Sequence, residues 1–574
     1  MTLIDTPALR SREASPIIEQ EYAPKIRDPQ PDSDRERVAI IVNHGMGQQV
    51  PYETMESVAL AVLRGIGLQD YEPTQPVVRI VRLGTEGKDD IETELVRVEI
   101  QVPHRERLFD VHIYESYWAP LTEGKVALKD VISFLWQAGF NGLRNTESGT
   151  FKRWLFGSVR RFKLHRIGLF AALLGTMCAL ASLIFINSVL MAAAVSHAIA
   201  GNGSFPSPGL IAPLTSDFIV ADLGAISIFL GTVVPYWIKQ KRTLSLAQRW
   251  LIDLEWGLVI LGILVIVFAG GVMPWQLVGF HPEHHLWRYF SDFAGCLNRG
   301  ASACPAFNNS YGYFVMSHPQ IGATLSYTLA CRFGIVMLWG TELLAALAVR
   351  WFLIEFVGDV AAYIAAHTVS KFWELRQQIW QTAMKVARAV YRAKINTPAA
   401  GNDSFLYNKV VVVGHSLGSV IAYDVLNGLL LEDGFSRQPL HIAARTRMFL
   451  TFGSPLDKTA FLFKTQRDMN SPVRTVGAAA VQPMVQNYSN RPADWVNLWS
   501  PSDPISGNLD FYDPPTLENA KEEADAMASG SGAFQCGKGI NNRIDPGATT
   551  PFAAHVEYWS GSLFAQELIR GITT

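Results

Sequence analysis

Two stretches of this chain, Ile167 to Val195 and Trp256 to Phe280, carry no charged residue and are rich in Leu, Ile, Val and Ala. A helix needs about 20 such residues to cross the hydrocarbon core of a bilayer, and both runs exceed that length. Buried helices of a soluble core usually present shorter apolar runs, so a membrane is the expected surroundings. The composition agrees, with 49% hydrophobic and only 17% charged residues in 574. Between the two runs, Phe218 to Ile238 is a further candidate span, with Asp222 near its start and Pro235 near its end. A fourth, Ile321 to Val357, is interrupted by Arg332, Glu342, Arg350 and Glu355. The expectation is therefore an all-α transmembrane bundle of about four helices occupying residues 151–368.

The basic residues orient these spans. Lys152, Arg153, Arg160, Arg161, Lys163 and Arg166 precede the first, and Lys239, Lys241, Arg242 and Arg249 separate the second from the third. Such flanks belong on the cytoplasmic side. The loop from Ser196 to Leu210 has no Lys or Arg, and the loop from His281 to Gln320 has only Arg288 and Arg299. That longer loop also holds Cys296 and Cys304, either a disulfide or two free thiols. Glu342, an intramembrane carboxylate, raises the possibility of an ion path, although Arg332 and Arg350 are available to pair with it.

The first residues, 1–36, are rich in Pro, Asp, Glu and Arg and read as a disordered tail without a secretory leader. With 49 basic against 51 acidic residues, nothing in the bulk charge suggests nucleic acid as a partner. Five cysteines in this length exclude a disulfide-built scaffold.

The polar ends read differently. Val38 to Asn43 is a short β-branched run ending in His44-Gly45-Met46-Gly47, a buried strand entering a glycine turn. Further strands are expected at Val77 to Leu83, Leu95 to Val102 and Leu108 to Tyr114, completing an N-terminal segment over 37–150. An amphipathic connecting helix from Val369 to Ile395, within 369–404, leads to a C-terminal segment over 405–574.

That segment opens with Lys409 to Val413, then Gly414-His415-Ser416-Leu417-Gly418, then a helical stretch. Gly-x-Ser-x-Gly alone is a weak signal in a chain with 45 glycines. Its setting gives it weight, because a nucleophilic serine needs a sharp strand-to-helix turn whose flanking glycines allow close backbone approach. A serine hydroxyl also needs a base to take its proton and an acid to orient that base. After Ser416 the chain offers His441 and His555, and His441 comes too early for an acid on a strand end to precede it. The base is therefore read as His555. Asp503, just past the apolar run Trp495 to Trp499, is the preferred acid, with Asp457 in Gly453-Ser454-Pro455-Leu456-Asp457 as the alternative. Backbone N–H groups of Leu417 and Met46 are candidate oxyanion donors, the latter freed by Gly45 and Gly47, with His44 in a structural role.

This set of motifs resembles the α/β-hydrolase lipases and esterases over about residues 38–118 and 405–565. The resemblance implies a doubly wound, mostly parallel α/β sheet assembled from the N- and C-terminal segments. It also implies an acyl-enzyme mechanism through Ser416, His555 and Asp503, with no metal and no cofactor. The departure is the interval of about 370 residues between Gly45 and Ser416, which contains the apolar spans. Few strands can precede Val38, so the sheet is expected to be trimmed at that edge. If both segments build one sheet, the crossings between them must be even in number, which four spans satisfy.

The expected protein is an integral membrane serine hydrolase in a bacterial inner membrane, with both termini and the catalytic domain cytoplasmic. It would cleave hydrophobic or acyl-lipid esters, or work as a thioesterase or acyltransferase on the same chemistry. The alternative class is a transport or signalling protein carrying a hydrolase-like regulatory or binding domain.

Overall fold

The computed structural model describes, with short gaps, residues 35–146, 166–200, 217–231, 255–277, 357–395, 404–461, 491–513 and 539–574, together with isolated positions between them. Two compact units divide the chain by contact. One comprises 1–134, 149–159 and 354–574, and the other 135–148 and 160–353.

The described residues of the first unit form an eight-stranded sheet. Its strands are β1 (Arg35–Asn43), β2 (Val77–Leu83), β3 (Thr93–His104), β4 (Arg107–Ser116), β7 (Lys409–His415), β8 (Thr446–Phe452), β9 (Asp494–Trp499) and β10 (Ile540–Ile544). A separate ribbon joins β5 (Lys394–Ile395) to β6 (Ser404–Phe405). The spatial order is β10-β9-β8-β7-β1-β4-β3-β2. Every pairing from β10 to β4 is parallel, and β3 pairs antiparallel with both β4 and β2. The segments on either side of the apolar insertion thus share one sheet, joined where β1 pairs with β7.

The central strands are apolar without alternation because both faces are covered, as parallel sheets require. Val410 to Val413 are at most 2% exposed. On one face, Val38, Ile40 and Val42 pack with Val58 and Val62 of α1 (Glu53–Gly67) and with Phe564 and Leu568 of the C-terminal helix (Ser562–Thr573). The other face is covered by the amphipathic helix Ser370–Arg392 and the helix Leu417–Phe435. Helices on both faces of a mostly parallel sheet make this an α/β fold.

One expectation fails. The sheet is not trimmed beside Val38, because β4, β3 and β2 fill that side from positions later in the chain. Two antiparallel pairings supply them, and the β3–β4 turn is tight enough to hold Arg105 at φ 53. A sequence reading that looks for strands before β1 does not see them there.

In the second unit, helices Arg166–Ala200 and Glu255–Leu277 pack through small residues. Gly270 lies so close to Ser182 that a Cβ would overlap it, and Gly224 stands in the same way against Gly262. A shared cluster joins Ile186, Val189 and Leu190 to Val220, Ala221, Ala269 and Met273. Among the described residues, two helices are long and apolar enough to cross a membrane, Phe170–Leu190 and Gly257–Pro274, with mean hydropathies of 2.0 and 2.5. Only 28% and 22% of these windows are buried, and Leu264 is 61% exposed. The second expected span is helical where described, between 217 and 231, and most of the fourth lies outside the described residues, so the described chain presents two membrane-length helices rather than a bundle of four. Cys296, Cys304, Arg332 and Glu342 also lie outside the described residues.

Candidate active site

The register of the two central strands builds the site. Asn43 at the end of β1 is paired with Gly414 near the end of β7, so the loops that follow emerge side by side at the carboxyl edge of the sheet. The helices after these strands, α1 and Leu417–Phe435, go to opposite faces, which opens a crevice between them.

Ser416 occupies the turn at φ 53 and ψ −130, a conformation that non-glycine residues seldom adopt. The surroundings hold it there. Its N–H donates to the Phe452 carbonyl at 3.1 Å, and its own carbonyl accepts from the Ser419 N–H at 2.9 Å and the Ser419 hydroxyl at 2.6 Å. The motif glycines are sterically required: a Cβ on Gly418 would overlap the carbonyls of Asn43 and His44, and one on Gly414 would meet Ser419 Cα at 2.5 Å. Gly45 is equally constrained, since a Cβ there would stand 2.9 Å from Ser416 Cβ and 3.0 Å from His415 Nδ1. The Gly45 loop therefore lies directly against the serine.

His555, at the start of the short helix Ala554–Glu557, faces Ser416 from the far end of the chain. Its Nε2 is 2.9 Å from Ser416 Oγ and its Nδ1 is 2.9 Å from Asp503 Oδ2. Asp503 follows β9 in a turn where its Oδ1 accepts the Ile505 N–H at 2.9 Å, and Oδ2 also accepts the Tyr558 hydroxyl at 3.1 Å. Burial alone would raise this carboxyl's pKa, but the hydrogen bond and charge of His555, with the Ile505 amide and the Tyr558 phenol, outweigh it and hold the pKa below the usual range.

The structure brings Asp503, and not Asp457, to the imidazole. Asp457 sits on the helix Leu456–Phe461, where its Oδ2 accepts from Lys458 at 2.8 Å, and it packs against Gly507.

The two motif histidines are structural in their contacts. His415 is buried, which pulls its pKa down to about 3 with help from nearby His555, and its Nε2–H donates to the His555 carbonyl at 2.8 Å. It thereby secures the backbone that carries the catalytic-type imidazole. Burial likewise pulls His44 down to about 4. Its Nδ1–H donates to the Gly45 carbonyl at 2.8 Å, its Nε2 accepts the Trp118 N–H at 3.0 Å, and the ring stacks on Trp118 at 4.5 Å.

Met46, which follows Gly45 in the loop against the serine, and Leu417, which follows Ser416 in sequence, are both buried, and the Leu417 N–H opens its helix without an intrahelical acceptor. A cavity of about 170 Å³ adjoins the loop, lined among others by Gly47, Gln49, Tyr117, Glu123 and Asp359. Among the described residues no group of three or more His, Cys, Asp or Glu is placed to hold a metal ion.

Three contributors were not singled out in the sequence: Tyr558, Ser506, which lies 3.1 Å from the Tyr558 hydroxyl, and Asp359. Only Tyr558 left a trace there, standing three residues after His555 in helical spacing.

The chain matches no family model, no curated protein and no solved structure. An oriented imidazole within hydrogen-bond reach of a strained serine can accept the hydroxyl proton as the oxygen attacks an electrophile, while the ionised Asp503 stabilises the resulting imidazolium.

Proposed function

We propose that the chain is a membrane-anchored serine hydrolase of α/β-hydrolase type that cleaves carboxylic esters. The observation that carries this reading is the continuous line from Ser416 Oγ through His555 to Asp503, with both contacts at 2.9 Å. In the first step the Ser416 oxygen bonds to the ester carbonyl carbon while His555 Nε2 takes its proton. Met46 and Leu417 N–H groups hold the oxyanion. Collapse of this intermediate breaks the bond to the alcohol oxygen, which receives the proton from His555 and leaves an acyl-Ser416. Water then repeats the sequence and releases the acid.

The anchor is supported by the two apolar helices with their outward-facing Leu and Ile side chains, which would be costly to expose to water. An even number of crossings returns the chain to one side, as a sheet built from both flanking segments demands. The basic flanks support the cytoplasm as that side, and tethering to a bilayer favours hydrophobic or acyl-lipid esters as substrates.

The test is fluorophosphonate labelling of the detergent-solubilised protein beside Ser416→Ala, followed by a p-nitrophenyl ester chain-length series. Labelling and turnover that vanish with Ser416 are expected, and turnover that persists in Ser416→Ala sinks the assignment. Adding thiol esters and alcohol acceptors to the same assay separates hydrolysis from thioesterase and acyltransferase activity.

A further inference from the structure

The loop after β1 is held from an unexpected direction. Gly47, at φ 92, donates its N–H to Asp359 Oδ2 at 2.8 Å. Asp359 lies 312 residues away in sequence, on the helix Gly358–Ile364, shortly after the chain returns to this unit from the apolar insertion. Its side chain is buried, the residue being 7% exposed.

A loop flanked by Gly45 and Gly47 has unusual backbone freedom. Oxyanion donors act by being aimed before charge develops, so a freely moving loop would forfeit most of their effect. The hydrogen bond to Asp359 fixes the peptide joining Met46 to Gly47, and through the shared Met46 Cα it restrains the preceding peptide, whose N–H is that of Met46.

We propose that Asp359 is a positioning residue: by accepting the Gly47 N–H, it holds the loop in the conformation in which the Met46 N–H serves the oxyanion. The inference rests on the serine-hydrolase reading above. Asp359 touches neither substrate nor the reacting atoms, and it makes the oxyanion loop depend on the segment through which the insertion rejoins the domain.

The experiment compares the full-length wild type in detergent with Asp359→Ala and Asp359→Asn. The readouts are p-nitrophenyl butyrate kinetics and inhibition by a trifluoromethyl ketone, whose serine adduct bears an oxyanion. Asp359→Ala is expected to lower kcat by roughly 10- to 100-fold with KM within about twofold, and to weaken the ketone by a similar factor. Asp359→Asn keeps an acceptor oxygen and is expected to stay within about fivefold of wild type. Should Asp359→Ala not fold, Asp359→Glu, which shifts the acceptor by one methylene, is expected to lose more kcat than Asp359→Asn. A folded Asp359→Ala with kcat and ketone affinity within twofold of wild type overturns this inference alone. Equal damage in the Ala and Asn variants also overturns it, and a wild type that is never labelled at Ser416 overturns both this inference and the function it rests on.

Discussion

The Tyr558 hydroxyl donates to Asp503 Oδ2 at 3.1 Å, the same oxygen that lies 2.9 Å from His555 Nδ1. One carboxylate oxygen thus holds the imidazole and is itself held by a phenol. Removing that phenol in Tyr558→Phe should lower kcat about 2- to 10-fold, less than the roughly 1.5–3 kcal/mol of a hydrogen bond to a charged group, because His555 and the Ile505 amide still hold Asp503. Since the phenol helps keep the Asp503 pKa low, its loss should also move the acid limb of the kcat profile to higher pH. The pH dependence of p-nitrophenyl ester hydrolysis checks both effects.

The two candidate acids separate cleanly. Asp503→Asn should cost roughly 10³- to 10⁴-fold in kcat, because the amide no longer supports an imidazolium or enforces its tautomer. Asp457→Asn breaks a contact with Lys458 outside this line, so fluorophosphonate labelling per folded molecule should stay within about threefold of wild type. A reversal of these effects would reassign the acid.

Gly453 tests how tightly His555 is packed. It sits at φ 57, and a Cβ there would lie 3.1 Å from His555 Cε1. Gly453→Ala combines a backbone cost of about 1–2 kcal/mol with displacement of the imidazole. The expected result is a lower melting temperature together with a loss of kcat of at least tenfold, measured on the same preparation.

Glu115, at the carboxyl end of β4, titrates where it affects stability at physiological pH. Burial raises its pKa from 4.5 to about 7, and nearby Thr54 and the amides at the start of α1 offset only part of that. The folded state therefore binds the proton more tightly than the unfolded chain. Stability from this group is complete below about pH 4.5, falls as the pH rises through about 7, and then levels off, with a total on the order of 3 kcal/mol. Glu115→Gln should flatten this dependence and be more stable than wild type at pH 8. Thermal unfolding of both proteins at pH 5 and pH 8 gives the comparison.

The membrane reading predicts an asymmetry on the helix Glu255–Leu277. Leu264 is 61% exposed, and in water a lysine there would be close to neutral. In a bilayer, Leu264→Lys should cost about 3 kcal/mol of insertion free energy. Reduced recovery in the carbonate-resistant membrane fraction is the expected outcome, and unchanged recovery would place that face in water.

Much of this protein was legible in sequence because its signals are local. The β-branched runs Val38 to Asn43 and Lys409 to Val413 specify strands by their own stereochemistry, and the glycines around Ser416 specify a sharp turn. The charge-free runs specify helices of membrane length by composition alone. His555 followed by elimination, since only two histidines lie beyond Ser416.

The rest depends on which distant residues share a space, and that is a property of the sheet order. Asp503 and Asp457 look alike as carboxylates after strands, and only the packing of the loop after β9 against Ala554–Glu557 puts one of them 2.9 Å from the imidazole. Tertiary structure likewise placed β4, β3 and β2 beside β1, and brought Asp359 to Gly47 across 312 residues. Local stereochemistry selects strands, turns and helices within a few residues. A hydrogen bond between chain segments hundreds of residues apart exists only once the core that joins them has packed.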